Sequence, residues 1–345
     1  MVHRGHIESI GGKKRKRSEG EVAEPAEGER PERWGPLRLM RVKERTQCDY
    51  TRVRRNFGKW LKERGEEPAN QEAFDRAGEK YITWVYDTRK PAYWACNLVA
   101  AMELYYPLTQ GMWILTGAAA AGFRTVKPVH SWPPLPAEVA LGAAAILWAW
   151  REKEAAVAIL LGFHCYLRIS DIVSLTVELV VLPTDSTWNG VGSEPAVTVK
   201  EAKTGMNQSV YVDDPLVLDL LKEIKGERSG GARLFASLSY GKLRELFRKA
   251  LTRLGVEDSE FVIHSLRHGG AARDHMYKFR TFDAIKERGR WLSDKTCRLY
   301  IDAGRVGLIM GKLPEESKRK LMALCKSNHG KLFNRPTLEV RFARL

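Results

Sequence analysis

The chain has 345 residues, 44% of them apolar with ten tryptophans, and 57 Lys and Arg against 42 Asp and Glu, for a formal net charge of +15 and a pI of about 9.6. Apolar content on that scale excludes a wholly disordered chain, and the length admits two domains and a tail. The cationic excess favours a polyanionic partner, nucleic acid ahead of an anionic membrane.

Five cysteines, Cys48, Cys96, Cys165, Cys297 and Cys325, are scattered and lack any CxxC pairing, which points to a reducing compartment and away from a disulfide frame or a zinc site. No segment near the N-terminus reads as a leader peptide. The apolar run from Val139 to Trp150 ends in charges at Arg151 to Glu154 and is too short to span a bilayer, so no membrane partner is expected.

Residues 1–45 are rich in Glu, Gly, Arg and Pro and poor in periodic apolar residues, the composition of a disordered tail. Inside it Lys13, Lys14, Arg15, Lys16 and Arg17 form an unbroken cationic block, which reads as a nuclear import signal, a phosphate-binding arm or a solvated charge run. A helical repeat opens near Thr46, with Tyr50, Val53, Phe57, Trp60 and Leu61 on one face and Gly65 closing it. Arg52, Arg54, Arg55 and Lys59 decorate this helix and are candidate nucleic-acid contacts. Further helices are predicted near 71–86, 91–106 and 110–123, giving a bundle of four short helices. From Lys127 to Pro136 four prolines in ten residues make a semi-stiff linker. Beyond it helices are predicted near 137–150, 154–167 and 169–176, and strands at Val180–Leu182, Ala196–Lys200 and Gln208–Val212. The last two strands flank a turn in which Gly205 is free to take a positive φ. Helices resume at 239–254, 265–278, 281–290 and 294–302, with an amphipathic helix at 314–326. The fold class is mainly α with one small antiparallel β-sheet.

Late in the chain, residues of complementary chemistry fall at telling intervals. His264 and Arg267 are three apart and share a helix face. Trp291 and Tyr300 are nine apart, which an unbroken helix would set on opposite sides, but Ser293-Asp294 between them reads as an N-cap whose break re-aims the tyrosine. An arginine and a histidine beside an aromatic hydroxyl suggest phosphate chemistry with a tyrosine nucleophile. Upstream, Arg168 and Asp171 are three apart at a helix start, where the carboxylate either orients the guanidinium or caps the helix.

The chain order Arg168, Asp171, Lys203, His264, Arg267, Trp291, Tyr300 resembles that of the tyrosine recombinases, or phage integrases, over roughly residues 46–310. The phrase around Arg168 is similar to that family's first arginine box, Lys203 in Lys-Thr-Gly to its hairpin lysine, His264-x-x-Arg267-His268 to its second box, and Gly289 to Tyr300 to its nucleophile box. Trp291 stands where the family usually has a second histidine, as in the Cre-type members. The resemblance implies a helical core-binding (SAM-like) DNA-binding domain at 46–126, the linker at 127–136, a catalytic domain at 137–312, and a C-terminal helix and tail at 313–345 that docks on a neighbouring subunit or covers its own core.

It also implies roles. Arg168 and Arg267 grip the nonbridging oxygens of one phosphodiester and offset charge in the pentacoordinate transition state. Tyr300 attacks phosphorus, His264 accepts its proton or donates to the phosphate, Lys203 protonates the departing 5′ oxygen (with Lys200 nearby as a rival), and the Trp291 N–H reaches the phosphate. His268 holds Arg267 or packs its helix; with His264 it is spaced for a metal, but no third ligand follows, so metal is expected to be absent. The implied activity is site-specific DNA recombination or integration through a 3′-phosphotyrosyl intermediate, with no cofactor, metal or ATP, by a homo-tetramer on double-stranded DNA. The cationic block, where it is read as an import signal, points to a eukaryotic mobile element and a nuclear location. Rival readings are a type IB topoisomerase and a catalytically silent DNA-binding derivative. Two departures, Gly269-Gly270 inside a helix and the long spacer around Trp188, would mark a diverged copy with reduced activity.

Overall fold

Val53, Phe57, Trp60 and Leu61 line the buried face of a helix that runs Glu44–Glu63 (α1) in the computed structural model. The chain then turns at Gly65, whose φ of 65° suits glycine. The structure describes residues 37–128, 132–183, 185, 194–202, 205–228, 230–257, 260–301, 303–326 and 329–334, in two units divided at Val129 and His130. The cationic block Lys13–Arg17, Lys203 and the spacer around Trp188 lie outside the described residues.

In the first unit regular structure is present within the 1–45 stretch that the sequence reads as a tail. A 3₁₀ turn forms at Leu37–Arg41, because the Gln47 side-chain amide donates to the carbonyls of Leu39 (2.7 Å) and Val42 (3.1 Å). Helix α2 spans Gln71–Asp87, opened by Asn70 accepting from the Ala73 N–H. The single helix expected at 91–106 is two, Ala92–Cys96 (α3) and Leu98–Tyr105 (α4), separated by Asn97. The next, Ile114–Val126 (α5), starts later than expected. Asp75 of α2 sets that start, taking the N–H groups of Leu115 (2.8 Å) and Thr116 (2.9 Å) that no helical carbonyl would satisfy. The bundle therefore has five α-helices rather than four among the described residues. Its core joins Phe57, Trp60 and Tyr81 in one aromatic cluster.

The second unit is built on two central helices, Ala137–Ala149 (α6) and Lys153–His164 (α7). Every residue from Ala155 to His164 is buried, the pattern of a helix covered on all sides. The short helix Ile169–Val173 (α8) follows. Strands β1 (Val180–Val181), β2 (Ala196–Ala202) and β3 (Gly205–Tyr211) then form an antiparallel sheet in the order β1-β2-β3. The second hairpin pairs Ala202 with Gly205, so β3 begins inside the expected turn. A helix absent from the sequence reading, Pro215–Lys225 (α9), is capped by the Asp214 carboxylate on the N–H groups of Leu216 and Val217. Its signals were the Asp-Pro start and the apolar spacing of Leu216, Leu220 and Ile224.

Helices Tyr240–Leu254 (α10), Ser265–Met276 (α11), Phe282–Arg288 (α12) and Asp294–Arg298 (α13) follow. After them come Ala303–Lys312 (α14), Glu315–Lys326 (α15) and His329–Leu332 (α16). Helix α10 packs on α6, and α11 on α7 and α14. Leu321 and Phe333 are buried in the same core as α6, so this terminal segment covers its own unit.

The two glycines of α11 are structural. A Cβ on Gly269 would collide with the Leu135 carbonyl, and one on Gly270 with the Phe163 carbonyl and the Tyr166 ring. Their absence lets α11 seat against the proline-rich stretch, where Leu135 donates its N–H to the Ser265 carbonyl (3.0 Å). Gly269-Gly270 thus has a packing reason within this fold.

Candidate active site

The first residue of α11 is preceded by His264, and Arg267 lies one turn on, so the helix start delivers both to one place. Arg267 is 1% exposed. Its Nη1 donates to the Tyr166 carbonyl and its Nη2 to the Gly289 carbonyl, tying together two loop segments that are 123 positions apart in sequence. One segment carries Arg168 and the other Arg290 and Trp291. Tyr166 (φ 47°) and Arg290 (φ 55°) both adopt left-handed backbone that side-chain-bearing residues rarely take, and such strain concentrates at functional sites.

Tyr300 follows α13, which begins as the sequence predicts, with Ser293 accepting from the Thr296 N–H. The helix ends at Arg298, and the chain turns Tyr300 back toward α11. The Tyr300 hydroxyl lies 3.3 Å from His264 Nε2. The Arg267 guanidinium sits 4.7 Å from the Trp291 ring centre and 5.6 Å from that of Tyr300. Trp291 packs between Tyr166 (6.0 Å between ring centres) and Tyr300 (4.6 Å). Beneath them Tyr166, Ala271, Ile285, Trp291 and Cys297 form a small apolar cluster of their own.

Burial, with the charges of Arg267 and Arg168, holds His264 below the ordinary histidine range, so at neutral pH it is uncharged and able to accept the tyrosine proton. Burial, then His264 and Arg267, pushes His268 down to about 3. The His268 ring stacks on Tyr300 at 4.0 Å and meets His264 edge-on at 5.1 Å, a packing contact beyond the two roles expected from the sequence. Among the described residues no cluster of His, Cys, Asp or Glu is placed to hold a metal, and no helix is long and apolar enough to cross a membrane.

Asp171, 6% exposed, accepts the Arg168 backbone N–H (3.3 Å) and so starts α8. Its Oδ2 also accepts from Nη2 of Arg290 at 3.2 Å, while Nη1 of Arg168 stands 3.8 Å from the same oxygen. Arg290 was missed by sequence reasoning; its signal was a third arginine directly before Trp291. Also missed was the buried support behind Tyr166, whose hydroxyl donates to Asp274, itself held by Arg273 and by Arg280 (3.1 Å).

The structure therefore brings together His264, Arg267, His268, Trp291 and Tyr300, with Arg168 and Asp171 joined to them through Arg290. In the first unit, Arg52, Arg55 and Lys59 are exposed on α1, spaced to share one face. Arg52 pairs with Asp49 and Lys59 with Glu63. Arg54 is instead half-buried, 4.5 Å from the Tyr105 ring centre and bonded to the Tyr106 hydroxyl.

No protein-family model and no curated protein matches the chain. Its fold is similar to that of the Tn1549 transposon integrase solved in complex with transposon right-end DNA, with a TM-score of 0.53 and 14% identity over 77% of this chain and 93% of that one. It is also similar to a lambda integrase dimer bound to a COC′ core site, with a TM-score of 0.50 and 16% identity over 76% of this chain and 90% of that one. At such identities the likeness is one of fold: mainly helical, with a small antiparallel sheet.

Proposed function

We propose that this chain is a DNA strand-transferase of the tyrosine recombinase type. The observation that carries the reading is the 3.3 Å approach of the Tyr300 hydroxyl to His264 Nε2 beside the buried Arg267 guanidinium. Its fold, shared with two integrases solved on DNA, supports the same reading.

In this mechanism the Tyr300 oxygen attacks phosphorus, His264 Nε2 takes the phenolic proton, and the bond to the 5′ oxygen breaks. Lys203 supplies a proton to that oxygen, and a 3′-phosphotyrosyl bond remains. Arg168 and Arg267 offset the added charge. The new link keeps the phosphodiester energy, so attack by a 5′ hydroxyl of a second strand reverses the step without ATP or a metal. Recombining two duplexes takes four tyrosines, hence a homo-tetramer on DNA. Backbone phosphates would meet the basic surface of α1, and the cationic block Lys13–Arg17 would direct the chain to the nucleus as the product of a eukaryotic mobile element.

The test is a nicked oligonucleotide carrying the repeats that flank the encoding element. Wild type is expected to form an SDS-resistant protein–DNA adduct and Tyr300→Phe none. A wild type that forms no adduct on that DNA overturns the reading in favour of a silent DNA-binding protein. Relaxation of supercoils without exchange between two sites would assign topoisomerase activity instead.

A further inference from the structure

One carboxylate stands between two guanidiniums, and the residue distant in sequence has the firmer hold. Arg290 Nη2 is hydrogen-bonded to Asp171 Oδ2 at 3.2 Å. Arg168 Nη1, only three residues away in sequence, stays 3.8 Å from that oxygen, beyond hydrogen-bonding distance. Among the described residues Arg168 Nη1 has no hydrogen-bond partner although it is buried, and neither have Nε of Arg267 nor Nε and Nη1 of Arg290. The Arg290 side chain is 4% exposed. Three guanidiniums against one carboxylate leave this buried cluster doubly positive, an arrangement that calls for an anion.

We propose that Arg290 is a positioning residue: it competes with Arg168 for Asp171 and so leaves Arg168 Nη1 for a phosphate oxygen. Without Arg290 the i, i+3 neighbours Arg168 and Asp171 would close into a direct ion pair, and a phosphate would have to displace the carboxylate. The left-handed backbone at Arg290 agrees with a residue kept for its side chain, since glycine would take φ 55° freely. The inference rests on reading this cluster as a phosphate grip.

The experiment is a titration of the full chain with inorganic phosphate, followed by ³¹P NMR, in wild type, Arg168→Ala, Arg290→Gly, Asp171→Asn and the Arg290→Gly/Asp171→Asn double variant. Arg290→Gly relieves the backbone, so it is expected to fold, and to bind phosphate about tenfold more weakly than wild type. The double variant is expected to recover most of that loss, because the competing carboxylate is gone; a merely structural role for Arg290 predicts no such rescue. Asp171→Asn alone is expected to bind more tightly than wild type, and it keeps the test decisive should Arg290→Gly not fold. Unchanged binding in Arg290→Gly, a double variant as weak as the single, or equal or weaker binding in Asp171→Asn overturns the inference. Wild type binding no more tightly than Arg168→Ala overturns the phosphate grip itself, and this inference with it.

Discussion

The imidazole of His268 lies on the phenol ring of Tyr300, with ring centres 4.0 Å apart and planes within 17°. It packs on the tyrosine as a neutral ring, because burial pushes its pKa down to about 3. The unfolded chain, with histidine near its ordinary value, binds one more proton than the folded one between about pH 6.5 and pH 3. Stability is therefore complete above that window and falls as pH drops through it. His164, lowered in the same direction by burial, adds to the slope. His268→Phe keeps the stack and removes one proton, so it should flatten the loss by about 1.4 kcal/mol per pH unit. Denaturant midpoints of both proteins at pH 7, 6 and 5 check this; parallel curves would refute it.

His264 sets a different pH dependence, that of the reaction. Burial, Arg267 and Arg168 all disfavour its proton, so its acceptor form persists below the ordinary range. The acid limb of phosphotyrosyl formation should fall below about pH 6.5. His264→Ala should slow single-turnover adduct formation about a hundredfold and abolish that limb. Rates that already decline from pH 8 to 7 would contradict the assignment.

Arg267 joins stability to chemistry. Its two Nη groups satisfy the buried carbonyls of Tyr166 and Gly289. Arg267→Ala strands both, at about 1–3 kcal/mol each, and leaves the segments bearing Arg168 and Trp291 joined by the Arg290–Asp171 hydrogen bond and the Tyr166–Trp291 ring contact. Urea unfolding should show a loss of about 3 kcal/mol or more. Arg267→Lys should recover part of it at most, since an ammonium cannot bridge two diverging carbonyls with a planar fork. A variant as stable as wild type would show that these carbonyls have other partners.

How much of this was legible in the sequence follows from what each residue interacts with. The boxes at Arg168 and His264-Arg267 and the cap at Ser293 were readable, because local spacing decides which helix face a side chain takes. Helix α9 was readable too, from Asp214-Pro215 and its apolar spacing, and was overlooked. The late start of α5 depends on a contact across the fold, with Asp75 of α2, and no local pattern encodes it. Arg290 looks like any surface arginine until Asp171, 119 positions earlier, is placed beside it. Gly269-Gly270 looked like a flaw because helix propensity is local, whereas its cause, the Leu135 and Phe163 carbonyls, is not.

That cause yields a paired test. Gly269→Ala and Gly270→Ala each drive a methyl into a backbone carbonyl that cannot rotate away, and overpacking of that kind should cost about 3 kcal/mol or more. Gly58, on the exposed side of α1, has nothing within 4 Å of its would-be Cβ. Gly58→Ala should instead stabilise the first unit by about 0.5–1 kcal/mol, through helix propensity alone. Thermal unfolding of the three variants compares opposite signs from one chemical change. If Gly270→Ala melts with wild type, α11 does not approach the Phe163 carbonyl as closely as described, and the placement of Arg267 one turn earlier on the same helix would fall with it.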